Sequence, residues 1–250
     1  MNLRALYALA LASLLAACAS TNAPKADPLE GLNRATHAFN DAADRAVLKP
    51  VAEGYKKVTP DFMRSGVSNV FSNLGDVAVS LNNFLQGKPK DGASDVGRFL
   101  VNSTLGVLGL FDVATPMGLE KHDEDFGQTL GKWGVGQGPY VVIPLMGPST
   151  LRDALGRGVD SQAGWGKQVD HVPTRAAGLG MELVNVRASL LGAGEALDQA
   201  ALDKYQFLRD AYLQRRLRMV NDGKVTPAQL DQLDDDLAPP PKPKDTAPAK

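Results

Sequence analysis

Trp133-Gly-Val-Gly-Gln-Gly-Pro-Tyr-Val-Val-Ile-Pro-Leu-Met-Gly-Pro-Ser-Thr-Leu151 runs without a charged side chain. Its length approaches the ~20 apolar residues that a bilayer-spanning helix needs. Gly134, Gly136, Gly138, Pro139, Pro144, Gly147 and Pro148 forbid an unbroken helix through it. An apolar but irregular backbone is tolerated at membrane depth only inside protein or against a wet cavity, because lipid offers no hydrogen-bond partners. The alternative is a buried loop in an ordinary water-soluble core. Upstream, Phe99 to Phe111 is also uncharged but too short to span. Thirteen of the 25 glycines fall between Gly92 and Gly158, so regular structure has to come from the flanks of this middle region.

Those flanks read as helices. Asp27-Pro28-Leu29-Glu30 is a start signal, with Asp as N-cap, Pro at the first helical position and Glu three residues after the cap. Leu29, Leu32, Thr36, Phe39, Ala43 and Ala46 follow at helical spacing, and Lys49-Pro50 closes the run. Thr59-Pro60 opens a second helix with Met63, Val67, Val70, Phe71 and Leu74 as its stripe. A third run, Val77, Leu81, Phe84 and Leu85, stops at Gly87, a C-terminal cap. Downstream, Ser149 caps a short helix through Asp153 and Leu155, and Thr174 to Leu191 is helical. Asp203 to Val220 forms the last helix, with Tyr205, Leu208, Tyr212 and Met219 inward and Arg209, Arg215, Arg216 and Arg218 outward. Asn221-Asp222-Gly223 ends it. From Ala238 onward the Pro/Lys-rich composition cannot bury apolar surface.

The 250 residues carry a net charge of −1 and no strongly basic half, which argues against nucleic acid as a partner. The single cysteine excludes an internal disulfide and a thiolate metal cluster. It stands at Cys18, after one basic residue, Arg4, and an apolar run ending Leu15-Ala16-Ala17. That layout is a signal peptide, and Leu-Ala-Ala-Cys resembles the bacterial lipobox, in which the cysteine is acylated and becomes the first mature residue. Several acyl chains, at ~0.8 kcal/mol per buried CH₂, anchor stably. Ala19 in place of Asp points, by resemblance to lipoprotein sorting rules, to the outer membrane. The expected organisation is a signal peptide over 1–17, a lipidated tether over 18–27, a helical domain over 28–223 and an acidic, then Pro/Lys-rich, disordered tail over 224–250.

Catalytic patterns are missing. Gly-x-Ser-x-Gly does not occur, and Ser149 with His122 is the one pair a hydrolase could be imagined from. His37, His122 and His171 lack zinc-ligand spacing. Glu120 to Asp125 carries carboxylates without the spacing of a calcium loop and reads as a solvated charge cluster. No metal and no cofactor is expected.

Asp27-Pro-Leu-Glu-Gly-Leu-Asn-Arg34, Asn83-Phe-Leu-Gln-Gly87, Arg98-Phe-Leu-Val-Asn-Ser-Thr-Leu-Gly106 and Gly109-Leu-Phe-Asp-Val-Ala114 occur in order. Asp125-Phe-Gly-Gln-Thr-Leu-Gly131, Trp133-Gly-Val-Gly-Gln-Gly-Pro-Tyr140, Gly147-Pro-Ser-Thr-Leu-Arg-Asp153 and Arg209-Asp-Ala-Tyr-Leu-Gln-Arg215 follow. Together they resemble the VacJ/MlaA family of outer-membrane lipoproteins. Leu74-Gly75-Asp76-Val77 departs from it, since the family more often shows an acidic residue followed by proline there.

The resemblance implies an all-α, ring-like arrangement of amphipathic helices around an amphipathic channel, with the Gly/Pro-rich segment irregular. It implies removal of misplaced phospholipid from the outer leaflet, transfer to a periplasmic phospholipid-carrier protein, and trimeric porins as neighbours. No covalent chemistry is needed. Cys18 is the expected lipid attachment. Phe99, Phe111, Trp133 and Tyr140 are channel candidates from the uncharged segments, and Asn33, Phe39 and Asn40 are gate candidates on the first helix. The alternatives are an envelope phospholipase built on Ser149 and an adaptor that only docks on porins.

Overall fold

The computed structural model describes residues 23–239. The signal peptide, Cys18 and the end of the Pro/Lys-rich tail lie outside the described residues. The chain is mostly helical, with one small hairpin that corrects the all-α expectation.

Helix α1 spans Glu30–Ala43, and its entry differs from the expected cap. Leu29 occupies the N-cap position without a side-chain bond. Asp27 is fully buried and accepts from Asn33 Nδ2 at 2.8 Å and Tyr205 Oη at 2.5 Å. A desolvated carboxylate needs several donors, and these outcompete a helix cap. Nor does the chain stop at Lys49-Pro50. A π-helical turn, Asp44–Leu48, leads into α2, Lys49–Val58. The wider turn resets the hydrogen-bond ladder, so Pro50 falls in the first turn of α2, where its missing N–H is not needed.

The second and third expected helical runs form one helix, α3, Asp61–Leu85. Gly87, at φ 76°, ends it, and Lys88 N–H returns to the Asn83 carbonyl at 2.9 Å. Helix α4, Pro89–Thr104, packs back along α3. The apolar stripe expected to form the core faces outward: Val77, Leu81, Phe84 and Leu85 are all exposed. What α3 buries is Asn73, Asp76, Ser80 and Asn83, spaced three, four and three, against Asp95, Arg98 and Asn102 of α4. Despite its length α3 is too polar to span, and no helix among the described residues is long and apolar enough to cross a membrane.

After α4 the chain turns tightly. Val107, Leu108 and Gly109 lie consecutively in the left-handed region at φ 54°, 57° and 86°. Gly106 is required beside them, because a Cβ there would meet the Phe111 carbonyl oxygen at 2.2 Å. A strap over residues 120–125 then reaches α5, Phe126–Lys132, capped by Asp125 accepting from Gln128 N–H at 2.8 Å.

Strands β1, Tyr140–Ile143, and β2, Gly147–Thr150, pair antiparallel, with Tyr140 opposite Thr150 and Ile143 opposite Gly147. The β-branched Val-Val-Ile run between two prolines favours a strand where glycine counting suggested only loop. Ser149 therefore sits in β2, and Thr150 caps α6, Leu151–Ala163, accepting from Asp153 N–H at 3.2 Å. Beyond a 3₁₀ turn lie α7, Val172–Ser189, α8, Leu191–Ala200, and α9, Lys204–Val220.

A last helix, α10, Pro227–Leu237, rises from the acidic segment behind a Thr226/Gln229 capping box. Its Leu233 joins a small apolar cluster of Ala26, Tyr140, Val142, Tyr205 and Leu213. Ala26 N–H donates to the Asp236 carbonyl at 2.9 Å, which ties the two ends of the described chain together.

Candidate functional site

Burial is inverted relative to a water-soluble protein, whose interior is apolar and whose buried charges are rare. Here Asp27, Asp76, Asp95, Arg98, Asp153, Arg209 and Arg216 are buried, while Leu108, Phe62, Phe111, Trp133 and Leu145 stand in the open. Each buried charge is paired across elements, as desolvation demands.

Arg98, only 2 % exposed, lies between α3 and the turn after α4. Its Nη2 reaches both Asp112 oxygens at 3.1 Å and its Nη1 donates to the Leu119 carbonyl at 2.7 Å. The Asp76 carboxylate stands 3.6 Å from Arg98 Nε and 2.6 Å from Lys121 Nζ. Burial raises Asp76 above the ordinary carboxylate range even so. Burial also pushes Asp112 upward, but the Thr115 hydroxyl and N–H, Arg98 and Asn102 outweigh it and hold that carboxyl at about 2.

The second centre joins Arg216 of α9 to Asp125, through Nη2 at 2.9 Å, and to Asp153 at 2.9 Å. Tyr212 Oη donates to Asp153 at 2.9 Å, and burial together with that carboxylate pushes the phenol up to about 12. Arg209 pairs with Asp210 at 2.7 Å and reaches Asp27 at 3.4 Å. Arg209 and Arg216 thus belong to the inside of α9, not to its expected outer face. Arg215 is outward and meets Asp123 at 2.9 Å.

The 120–125 segment is likewise not a free charge cluster. Lys121 goes to Asp76, His122 to Asp95 at 3.0 Å, Asp123 to Arg215, Glu124 to Lys88 at 2.9 Å and Asp125 to Arg216. It laces α3, α4 and α9 together, with Lys88 on the turn between the first two. Among the described residues no group of three or more His, Cys, Asp or Glu side chains could hold a metal. Ser149 is fully buried and its hydroxyl donates to the Thr150 carbonyl at 3.1 Å, while His122 is taken by Asp95. The imagined Ser–His pair takes separate partners.

The other candidates fall into two groups. Asn33 and Asn40 of α1 both grip the hairpin. Asn33 Nδ2 donates to the Tyr140 carbonyl at 3.0 Å and its Oδ1 accepts from Val142 N–H at 2.8 Å. Asn40 Nδ2 donates to the Ile143 carbonyl at 3.0 Å and its Oδ1 accepts from Leu145 N–H at 2.7 Å. Phe39, Phe111 and Trp133 are exposed and Phe99 is half-buried. Trp133 Nε1 donates to the Leu85 carbonyl at 3.1 Å. Tyr140, by contrast, is 1 % exposed inside the apolar cluster, so it lines no open path.

An apolar cavity of about 520 Å³ lies between the hairpin tip and the π-turn, lined by Asn40, Val47, Leu48, Leu145, Met146 and Leu183. Asp76 and Arg98 are not picked out as interior groups by sequence reasoning. The signal that finds them is the polar residues' own helical spacing.

Buried ion pairs, exposed apolar helix faces and apolar cavities open to the surface define a helical protein suited to contact with lipid. The sequence pattern of the MlaA lipoprotein family matches residues 25–218. The "Intermembrane phospholipid transport system lipoprotein MlaA" of Escherichia coli (strain K12) is 38 % identical over 95 % of this chain and 98 % of its own. Its namesake in Haemophilus influenzae is 34 % identical over 93 % and 96 %. A solved structure described under the maintenance of bacterial outer-membrane lipid asymmetry aligns with a TM-score of 0.69 and 37 % identity, over 78 % of this chain and 99 % of that one. The chain belongs to the MlaA lipoprotein family.

Proposed function

We propose that this chain is the lipoprotein of an intermembrane phospholipid transport system that maintains outer-membrane lipid asymmetry, as its relatives' descriptions state of them. It is a transport protein and not an enzyme. Anchored by acyl chains on Cys18, it sits in the inner leaflet of the outer membrane beside trimeric porins. Its helices form a ring around an amphipathic channel, take misplaced phospholipid from the outer leaflet and pass it to a periplasmic carrier protein.

The observation that carries this reading is the inverted burial. Lipid-facing positions need apolar side chains, and a headgroup needs a polar path that hydrocarbon does not offer. Val77, Leu81 and Phe84 outside, with Asp76, Asn83 and Arg98 inside, give one helix pair an apolar outer face and a polar interior. The hairpin tip, held by Asn40 over the apolar cavity, is the gate in this proposal, and Asn33 fixes the strand behind it.

Deleting the gene raises phospholipid in the outer leaflet and weakens resistance to detergent with chelator. The full chain restores both, and Cys18→Ser restores neither. An unchanged leaflet after deletion sinks the transport reading. Co-purification with porins but no effect on leaflet composition favours the adaptor.

A further inference from the structure

Two cavities of opposite character meet along α3. The first, of about 440 Å³, is polar and presents Lys56, Arg64, Ser68 and Asn185. The second, of about 810 Å³, is apolar and presents Phe62, Met63, Leu110, Phe111 and Met181. Ser65 and Asn69, one helical turn apart, line both, so the cavities share a rim. Each volume lies within the ~300–1,000 Å³ typical of ligand pockets.

The polar side is built for an anion. Arg64 Nη1 donates to the Lys56 and Thr59 carbonyls at 3.0 Å each, which holds the guanidinium at the end of α2. Its other arm pairs with Asp61, whose carboxylate is 91 % exposed. Lys56 is exposed and makes no ion pair among the described residues. Two cations therefore face one anion, with the Ser65 and Ser68 hydroxyls and the Asn69 amide as neutral donors beside them. Asn69 also donates to the Leu110 carbonyl at 3.1 Å, so the residue on the shared rim holds the roof of the apolar side. Leu110 follows directly on the left-handed turn through Val107, Leu108 and Gly109.

A free anion uses only the first cavity and a hydrocarbon only the second. An amphipathic anion uses both, and the phospholipid of the transport reading is one, with its phosphate esterified to a glycerol that carries the acyl chains. We infer that a phospholipid seats here, its phosphate against Lys56, Arg64 and Ser65 and one acyl chain under Leu110 and Phe111. The inference rests on the transport reading and adds a defined resting place along the route.

The test uses the full lipidated chain in non-ionic detergent micelles, titrated with phosphatidylglycerol carrying a fluorescent acyl chain and with the matching diacylglycerol. Lys56→Gln weakens phosphatidylglycerol about tenfold, the effect of ~1.4 kcal/mol, and Lys56→Arg retains it. Diacylglycerol binds wild type and Lys56→Gln alike, and Met181→Trp, which fills the apolar side, weakens both lipids. Unfolding midpoints of the Lys56 variants match wild type, because that side chain has no partner to lose. Equal phosphatidylglycerol affinity in wild type and Lys56→Gln overturns the seat while leaving transport standing. Displacement of the lipid by inorganic phosphate alone overturns it in favour of a free-anion site. A wild type that binds no phosphatidylglycerol overturns the seat and the transport reading together.

Discussion

Asn33 and Asn40 stand two turns apart on α1, and each uses both halves of its amide on the backbone of one strand. Seven residues of helix rise about 10.5 Å, and three residues of strand, from Tyr140 to Ile143, about 10 Å. The spacings match, so two side chains act as a substitute strand edge. Asn40→Ala leaves the Ile143 carbonyl and Leu145 N–H without those partners; hydrogen exchange at Leu145 then accelerates by more than tenfold, consistent with about 1–3 kcal/mol for an unsatisfied group. Unchanged exchange there removes Asn40 from the gate. Arg98 is a harsher case. Arg98→Met takes the two-pronged partner from Asp112 and leaves Asp76 with Lys121 alone; breaking a buried pair from one side is destabilising by up to about 3–5 kcal/mol, read as a fall in the urea midpoint.

The pH dependence at the same centre has a defined sign. The folded-state value of Asp112, about 2, lies below its ordinary 3.8, so its contribution is present above 3.8 and is lost as pH falls toward 2. Asp112→Asn flattens the acid limb of the unfolding curve across that window. An acid limb identical to wild type there contradicts the assignment.

At the scale of elements, part of the helices is legible in the sequence, while α2, α4, α5, α8 and α10 and the direction of the helix faces are not. Periodicity at 3.6 residues locates an amphipathic stripe without saying which medium it meets. Along α3 the stripe Val77, Leu81, Phe84 reads like a core, but Asn73, Asp76, Ser80 and Asn83 repeat at the same period and are what the protein buries. Arg209 and Arg216 read as outward on charge alone and are buried. Their partners, Asp27, Asp125 and Asp153, come from distant parts of the chain that local spacing does not connect. Asn33 and Asn40 stand out in the sequence, but the strand they hold is masked by the glycines and prolines around it.

The outward stripe gives a direct expectation. Leu81→Lys changes folding stability by no more than ~0.5 kcal/mol, as for an ordinary surface position. It lowers the fraction of protein that floats with liposomes when lipidation is blocked by Cys18→Ser. A large loss of stability with unaltered flotation would mean that Leu81 is core after all.

At the scale of the whole molecule, a small apolar cluster closes the fold where Ala26, β1, α9 and α10 meet. Removing residues 227–250 takes Leu233 from that cluster and Leu237 from its edge. Burying one leucine fully is worth about 1.5–3 kcal/mol, so the truncated chain unfolds at lower urea, measured by circular dichroism. An unshifted midpoint would show that α10 only rests on the surface.

The same closure sets the order in which the molecule can become itself. Asp27 finds its donors at Tyr205 and Arg209, 178 and 182 residues later. Contacts so distant in sequence form slowly, because a long loop must close before they contribute. A polypeptide is made from its N terminus, so the Asp27 carboxylate has only the nearby Asn33 as donor until nearly all the rest has emerged. The fold thus carries its own delay, with its two ends joining only once the last helices arrive.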